Sequence, residues 1–340
     1  MTSPPHAAFE TTGARIWVAG HGGMVGAAVA RRLRAAGAEV LTVGRGELDL
    51  RRGNDVEAWL DRQRPDAVVV AAATVGGILD NDARPADFLY DNLAIAAATI
   101  EGARRAGVRR LMFLGSTCIY PRDAAQPVRE DSLLAGPLEP TNQWYAVAKI
   151  AGAKLCEAYR RQHGCDFFAA MPTNLYGPGD RFDPGRAHVV PALIARLHEA
   201  RLRGARSVRL WGTGRALRDF LHVDDAADAL VLLLARHAGG APVNVGSGSE
   251  VTILELARLV ARTVGWSGAI VPDPSKPDGT PRKLADTSRL AALGWRPRIG
   301  LAEGLADAYR WYLETAGDQK GGDQKGQSGR PQAAAEAGAT

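Results

Sequence analysis

The sequence predicts an α/β fold: a doubly wound parallel sheet of Rossmann type with a smaller, interleaved C-terminal domain for the substrate. Three observations carry this expectation. From Arg15 to Thr117, short strands that are apolar throughout alternate with Ala/Arg/Leu-rich helices, the pattern of a parallel sheet covered on both faces. The first strand runs through the glycine-rich stretch "VAGHGGMVG" directly into a helix. Beyond about Tyr176 the alternation loosens, and loop-rich runs such as "YGPGDRFDPGRAH" and "DPSKPDGTPRK" bracket isolated helices.

In chain order, "RIWVAG" reads as a strand, "MVGAAVARRLRAAG" as a helix, "EVLTVG" as a strand, "DVEAWLDRQR" as a helix and "DAVVVAAA" as a strand. "ADFLYDNLAIAAATIEGARRAG" follows as a long helix, then "RLMFLGST" as a further strand. "VVPALIARLHEAR" and "TILELARLVARTVG" are helices of the second domain. The expected divisions are a loose leader at 1–13, a dinucleotide-binding domain at 14–180, and a mainly substrate-binding domain at 181–315 with segments returning to the first. A tail at 316–340 repeats "GDQKG", offers no apolar face and is expected to be disordered.

Composition narrows the function classes. At 340 residues, 46% hydrophobic and 23% charged, the chain has the balance of a soluble globular protein. A net charge of +5, spread along the chain without a dense Lys/Arg run, gives no nucleic-acid footprint. No apolar run is long enough to span a bilayer, so no membrane partner is expected. Three cysteines, Cys118, Cys156 and Cys165, have neither a paired framework nor metal-ligand spacing; free thiols and a cytoplasmic location are expected, with no metal.

The glycines Gly20, Gly23 and Gly26 stand where a strand turns into a helix, and there they allow a pyrophosphate to approach backbone N–H groups, with Met24 and Val25 between them. On spacing alone the run is a glycine-rich turn; strand before and helix after make it a dinucleotide site. An NAD site usually ends its second strand on an acid for the ribose 2′-hydroxyl. Here Arg45 stands near that point in "LTVGRGELDL", and Glu47 and Asp49 come later, so the expected cofactor is NADP(H). Ser116 closes "RLMFLGST", after Leu114 and Gly115, and "YAVAK" puts Tyr145 and Lys149 on one helical face. An ammonium beside a phenol favours the phenolate, a means of bringing Tyr145 into a range useful for proton transfer. A lone Tyr-x-x-x-Lys means little; after a glycine-rich loop and a strand-end Ser it forms a set.

These residues resemble the extended short-chain dehydrogenase/reductases, in which Ser116, Tyr145 and Lys149 would be the catalytic set. More specific blocks, among them "GHGGMVG", "LGSTCIYP", "EPTNQWYAVAKIAGAKLCEAY", "MPTNLYGP", "HVVPALI", "DFLHVDD" and "SKPDGTPRKL", resemble the GDP-L-fucose synthase family over about residues 14–315. The resemblance implies a GDP-linked 4-keto-6-deoxy sugar as substrate, NADPH as reductant and a homodimer formed through the helices around 86–106 and 144–162. It implies Cys118 and His188 as an acid/base pair for epimerisation, with Lys149 also holding the nicotinamide ribose. Pro172, Thr173, Asn174 and Leu175 would approach the nicotinamide; Arg196, Trp211, Arg218 and Asp278 would surround the nucleotide sugar. For Trp211, packing beneath the loop "WGTGRALRD" is an equal alternative, and "HVDD" (His222, Asp224, Asp225) is read as a cap. His163, His198 and His237 are read as surface residues.

The sequence departs from the family at Gly22, where an Arg is usual and helps to hold the 2′-phosphate; this leaves more of that task to Arg45. Two alternatives stay open: action on another nucleotide-linked 4-keto deoxy or heptose sugar, and a non-catalytic dinucleotide-binding regulator. The regulator is disfavoured because Tyr145 and Lys149 are both retained. Dehydration is disfavoured because Cys118-Ile119 stands where the dehydratases carry Asp-Glu.

Overall fold

A computed structural model describes residues 8–183, 187–276 and 278–322, with the backbone alone at 78, 79 and 316–322. The first half alternates as expected: β1 (Arg15–Ala19), α1 (Met24–Ala35), β2 (Glu39–Leu41), α2 (Gly53–Gln63), β3 (Ala67–Val70), α3 (Ile78–Ala83), α4 (Pro85–Arg105) and β4 (Arg110–Leu114). A single 3-10 turn at Thr117–Ile119 precedes α5 (Gln143–His163) and β5 (Asp166–Pro172). β1, β3, β4 and β5 are buried along nearly their whole length, because helices cover both faces of the sheet.

The second half begins with β6 (Asn174–Tyr176), α6 (Val189–Leu202), β7 (Ser207–Trp211), β8 (Leu217–Arg218) and β9 (Phe220–His222). It continues with α7 (Val223–Arg236), β10 (Val243–Val245), β11 (Val251–Thr252), α8 (Ile253–Val264), β12 (Ala269–Asp273), β13 (Arg282–Lys283), α9 (Ser288–Ala292) and α10 (Leu301–Gly322). The start of α8 is fixed by a capping box: Thr252 Oγ1 accepts from the Glu255 N–H at 3.1 Å, and the Glu255 carboxylate accepts from the Thr252 N–H at 2.9 Å.

The main sheet has six strands in the order β2-β1-β3-β4-β5-β10, all pairs parallel. β10 thus joins the main sheet from beyond α7, and the second half divides its strands between this sheet and three small ones. The order turns at β1, whose neighbours β2 and β3 lie on opposite sides. In such sheets the crevice at the carboxyl ends beside that point takes the ligand.

Two apolar clusters cover the two faces of the sheet, and a third, around Leu193, Ile194, Leu256 and Leu305, fills the space between α6, α8 and α10. At the amino end of the sheet, Arg110 (1% exposed) pairs with Asp166, which also accepts from Arg160 at 2.7 Å.

The ends differ from the expectation. Residues 1–7 of the expected leader and 323–340 of the expected tail lie outside the described residues. Phe9, however, packs against the core; its N–H donates to the Ala235 carbonyl at 2.8 Å and its ring lies 5.5 Å from the Arg109 guanidinium. One aromatic side chain with an apolar seat is enough to order this part of the leader. At the other end α10 continues to Gly322, seven residues into the expected tail.

Candidate active site

The glycine-rich turn is shaped by two close approaches. Gly20 has φ +90°, and a Cβ there would lie 2.5 Å from the Ala72 backbone nitrogen. A Cβ on Gly26 would lie 2.2 Å from the Gly20 carbonyl oxygen, so α1 seats itself directly on the turn. Gly22 and Gly23 have a different role: a Cβ at Gly22 meets nothing within 4 Å, and at Gly23 only the Gly20 oxygen at 3.6 Å. Gly23 caps α1 without a side-chain hydrogen bond, and the first turn, Met24 onward, carries no acid. Uncapped N–H groups, the positive end of the helix and an open concavity together fit a pyrophosphate.

Past the end of β2, Arg45 is exposed and takes part in no ion pair among the described residues. Arg51 is committed instead, to Asp49 at 2.7 Å and Asp91 at 3.0 Å.

At the end of β4 the chain makes a tight passage. The Gly115 N–H donates to the Ala170 carbonyl at 2.8 Å, and a Cβ on Gly115 would meet Met171 Sδ at 2.2 Å. Ser116 then caps the 3-10 turn, its Oγ accepting from the Cys118 N–H at 3.3 Å. This fixes the half-buried Cys118 side chain at the first turns of α5. There Tyr145 and Lys149 both lie within electrostatic reach of the Cys118 side chain.

Lys149 is 3% exposed and donates to the Leu114 carbonyl at 2.7 Å. Its ammonium lies 5.6 Å from the centroid of the Tyr145 ring. Burial brings its pKa down to about 8, with Cys118 acting in the opposite sense. The expected lowering of the Tyr145 phenol is not found: burial, and then the neighbouring Cys118, push it up. The helical spacing does put the two side chains together, with one donor of the ammonium on the Leu114 carbonyl and its Nζ over the Tyr145 ring.

His188 caps α6 and, among the described residues, makes no hydrogen bond or ion pair with Cys118, Tyr145 or Lys149; the residue is partly exposed, and desolvation of its imidazole lowers its pKa. Residues 184–186, just before it, lie outside the described residues. "PTNL" sits at the carboxyl end of β5. The Thr173 N–H donates to the Val245 carbonyl at 2.9 Å, and Thr173 Oγ1 and Asn174 Nδ2 both donate to the Asp219 carbonyl, at 3.1 and 2.8 Å. Pro172 ends β5, and Leu175 pairs with Leu221 of β9.

Arg218 and Asp278 gather at the turn after β7. Asp278 accepts from the Thr213 N–H at 2.7 Å and from Thr213 Oγ1 at 2.8 Å, while Arg218 reaches the Asp278 carbonyl at 3.5 Å. Trp211, at the head of that turn, is 45% exposed with the Lys276 ammonium 5.7 Å from its ring, so it does not pack beneath the loop. Arg196 donates to the Arg209 carbonyl of β7 at 3.1 Å.

Several side chains at this crevice escape sequence reasoning. Lys283 and Glu139 line one crevice with Cys118. Asn142, at the cap of α5, keeps a buried Oδ1 without a hydrogen-bond partner. "SKPDGTPRKL" marks the neighbourhood of Lys283, but a two-residue strand carries no periodicity to single it out.

Two histidines read as surface residues are packed. His198 Nδ1 lies 2.9 Å from the Tyr309 hydroxyl, and His237 packs on Phe168 at 4.8 Å, its pKa brought down to about 4 chiefly by burial. His222 caps α7, accepting from the Asp224 N–H at 3.3 Å. Cys118, Cys156 and Cys165 are all free thiols. Among the described residues no helix is long and apolar enough to cross a membrane.

Residues 16–246 match the model of the NAD dependent epimerase/dehydratase family. The chain is 55% identical over 306 residues to a GDP-L-fucose synthase of Sinorhizobium fredii, covering 90% of this chain and 98% of that protein. Among solved structures, a GDP-6-OMe-4-keto-L-xylo-heptose reductase from C. jejuni superposes with a TM-score of 0.84 at 32% identity, over 91% of this chain and 100% of that one. A GDP-L-fucose synthetase from Naegleria fowleri bound to NADP gives 0.83 at 25% identity, over 93% and 98%. Sequence, fold and the open glycine turn agree, and the chain belongs to the NAD dependent epimerase/dehydratase family.

Proposed function

We propose that this chain converts GDP-4-keto-6-deoxy-D-mannose to GDP-L-fucose, by 3,5-epimerisation followed by NADPH-dependent reduction at C4. The observation that carries the reading is the thiol of Cys118 set against Tyr145 and Lys149, an acid/base group for carbon beside a proton donor for oxygen. The 55% identity to a protein named for this reaction supports it.

The C4 ketone acidifies the protons on C3 and C5. The Cys118 thiolate takes one of these protons, the electron pair moves to O4 as an enolate, and His188 returns a proton to the opposite face of the carbon. Tyr145, held neutral by burial, donates a hydrogen bond to O4 and so favours the enolate, with Ser116 as a second donor. Bound NADPH supplies the hydride for C4. Tyr145 passes its proton to O4 in that step, and Lys149 fixes the phenol and holds the nicotinamide ribose.

The N–H groups of Met24 and Val25 would hold the pyrophosphate of the cofactor and Arg45 its 2′-phosphate, with Leu114, Gly115 and Pro172–Leu175 near the nicotinamide. Arg218 and Arg196 suit the diphosphate of the sugar nucleotide, and Trp211 and Asp278 its base. The C. jejuni heptose reductase favours a second reading, in which the sugar is another GDP-linked 4-keto sugar.

The enzyme is proposed to act in the cytoplasm as a homodimer. Tyr90 on α4, with Trp144 and Val147 on α5, leaves apolar surface on the outer face of that helix pair. Product identification decides between the sugars: with GDP-4-keto-6-deoxy-D-mannose and NADPH, GDP-L-fucose is expected. A product reduced at C4 with C3 and C5 unchanged would refute the epimerase half.

A further inference from the structure

Lys283 makes a second ammonium available to Cys118. Strand β13 lies parallel to β8, with Lys283 beside Arg218 in register. On its other side the chain is stitched to the segment that follows the Cys118 turn: Leu284 N–H donates to Gln126 Oε1 at 2.8 Å, and Val128 N–H to the Leu284 carbonyl at 2.7 Å. This places the half-buried Lys283 side chain in one crevice with Cys118 and Glu139. Burial lowers the pKa of its ammonium, Arg218 acts in the same sense, and Cys118 and Glu139 act in the opposite one. Of the two ammoniums near the thiol, Lys149 is bound to the Leu114 carbonyl. The Lys283 carbonyl accepts from the Asp219 N–H at 3.1 Å, but among the described residues no hydrogen bond or ion pair ends on the Lys283 ammonium.

The other charges around the thiol are accounted for. Arg218 donates to the carbonyls of Leu217 and Asp278, Arg282 is held by Glu250 at 2.9 Å, and Arg122 is exposed on the rim. Tyr120 donates to Asn244 at 2.6 Å and is kept neutral by burial. Tyr145 is likewise neutral. Glu139 spends one carboxylate oxygen on Thr141, through its N–H at 3.1 Å and Oγ1 at 2.5 Å.

We propose that Lys283 is a positioning residue that acts as the counter-ion of the Cys118 thiolate, with Glu139 competing for the same ammonium. The thiolate is thereby available as a base before the sugar arrives. An uncommitted cation in a crevice favours the charged form of a neighbouring acid, and an ammonium serves as a compact point charge for a single sulfur. Lys283 does not itself exchange a proton with the sugar. The inference deepens the proposed epimerisation and rests on it for its purpose, but the pairing is tested without any sugar.

The test is the rate at which iodoacetamide alkylates Cys118 in the full chain with NADPH bound, read by mass spectrometry of the Cys118 peptide across a range of pH. The thiolate is the reacting form. Lys283→Met is expected to slow alkylation at pH 7.5 by about tenfold and to move the profile to higher pH, while NADPH affinity is unchanged. Lys283→Arg should restore the rate to within about threefold. Glu139→Gln, which frees the ammonium and keeps every apolar contact, should leave the rate unchanged or raise it. An unchanged rate in Lys283→Met, or a slower one in Glu139→Gln, overturns the proposal. So does a Lys283→Met protein that loses only affinity for the sugar nucleotide, since Lys283 would then be a phosphate anchor. Should the full enzyme fail to make GDP-L-fucose, the alkylation rates still decide the pairing.

Discussion

The Lys149 ammonium donates to the main-chain carbonyl of Leu114 at 2.7 Å and so ties α5 to the carboxyl end of β4. That bond holds a cation at 3% exposure, and burial brings its pKa from 10.5 to about 8. Between about pH 8 and 10.5 the unfolded chain therefore binds more protons than the folded one, and stability rises with pH across that window.

Replacing the ammonium by an apolar chain relieves this cost. Lys149→Met should abolish reduction and yet raise stability at pH 7 by on the order of 1 kcal/mol, after the lost hydrogen bond is set against the relieved burial. Thermal melts should show the gain shrinking by pH 10. A variant that melts well below the parent at pH 7 would count against a strained, functionally retained lysine.

The glycine turn separates packing from binding. Gly26→Ala puts a methyl 2.2 Å from the Gly20 oxygen and should cost about 2 kcal/mol or more in a denaturant titration. Gly22→Ala meets open space and should leave stability unchanged. Arg45→Ala should weaken NADPH binding about tenfold by calorimetry and leave NADH nearly untouched. Equal losses for both cofactors would place the 2′-phosphate elsewhere.

At the far end of the sheet, Asp166 answers two guanidinium groups, of which Arg110 is buried to 1% exposure. Asp166→Asn leaves that charge uncompensated and should lower unfolding free energy by about 3 kcal/mol, with cofactor affinity preserved. Urea unfolding monitored by tryptophan fluorescence reads this directly.

Val147 on α5 is 42% exposed and Tyr90 on α4 is 69% exposed, on the face proposed for self-association. Light scattering at micromolar concentration should give twice the 36.0 kDa chain mass for the parent and the chain mass for Val147→Glu. A monomeric parent would refute the dimer.

How much was legible follows from the range of the signal. The parallel sheet, "GHGGMVG" and Tyr145-x-x-x-Lys149 are local patterns: strand hydrophobicity, a turn that excludes side chains, and a helical repeat of four. Those patterns survive in the fold. The expected phenolate did not, because the helix places Lys149 beside Tyr145 but only the end of β4 decides that its ammonium bonds to Leu114. Lys283 and Glu139 were not legible, since their meeting at Cys118 depends on a two-residue strand, β13, paired with β8. Phe9 shows the same limit at the other end: a short polar stretch reads as loose, but its seat against α7 lies far along the chain.

The most direct measurement of the coupling between carbon acid/base chemistry and reduction is solvent deuterium in the sugar. Parent enzyme, GDP-4-keto-6-deoxy-D-mannose and NADPH in D2O should give GDP-L-fucose labelled at C3 and C5. Tyr145→Phe should lose reduction by a factor on the order of 100 or more. Cys118→Ser should bind NADPH as the parent does and incorporate label at C3 and C5 at least about 100-fold more slowly. Deuterium entering the sugar at the parent rate in Cys118→Ser would contradict the assignment of Cys118 as the acid/base group.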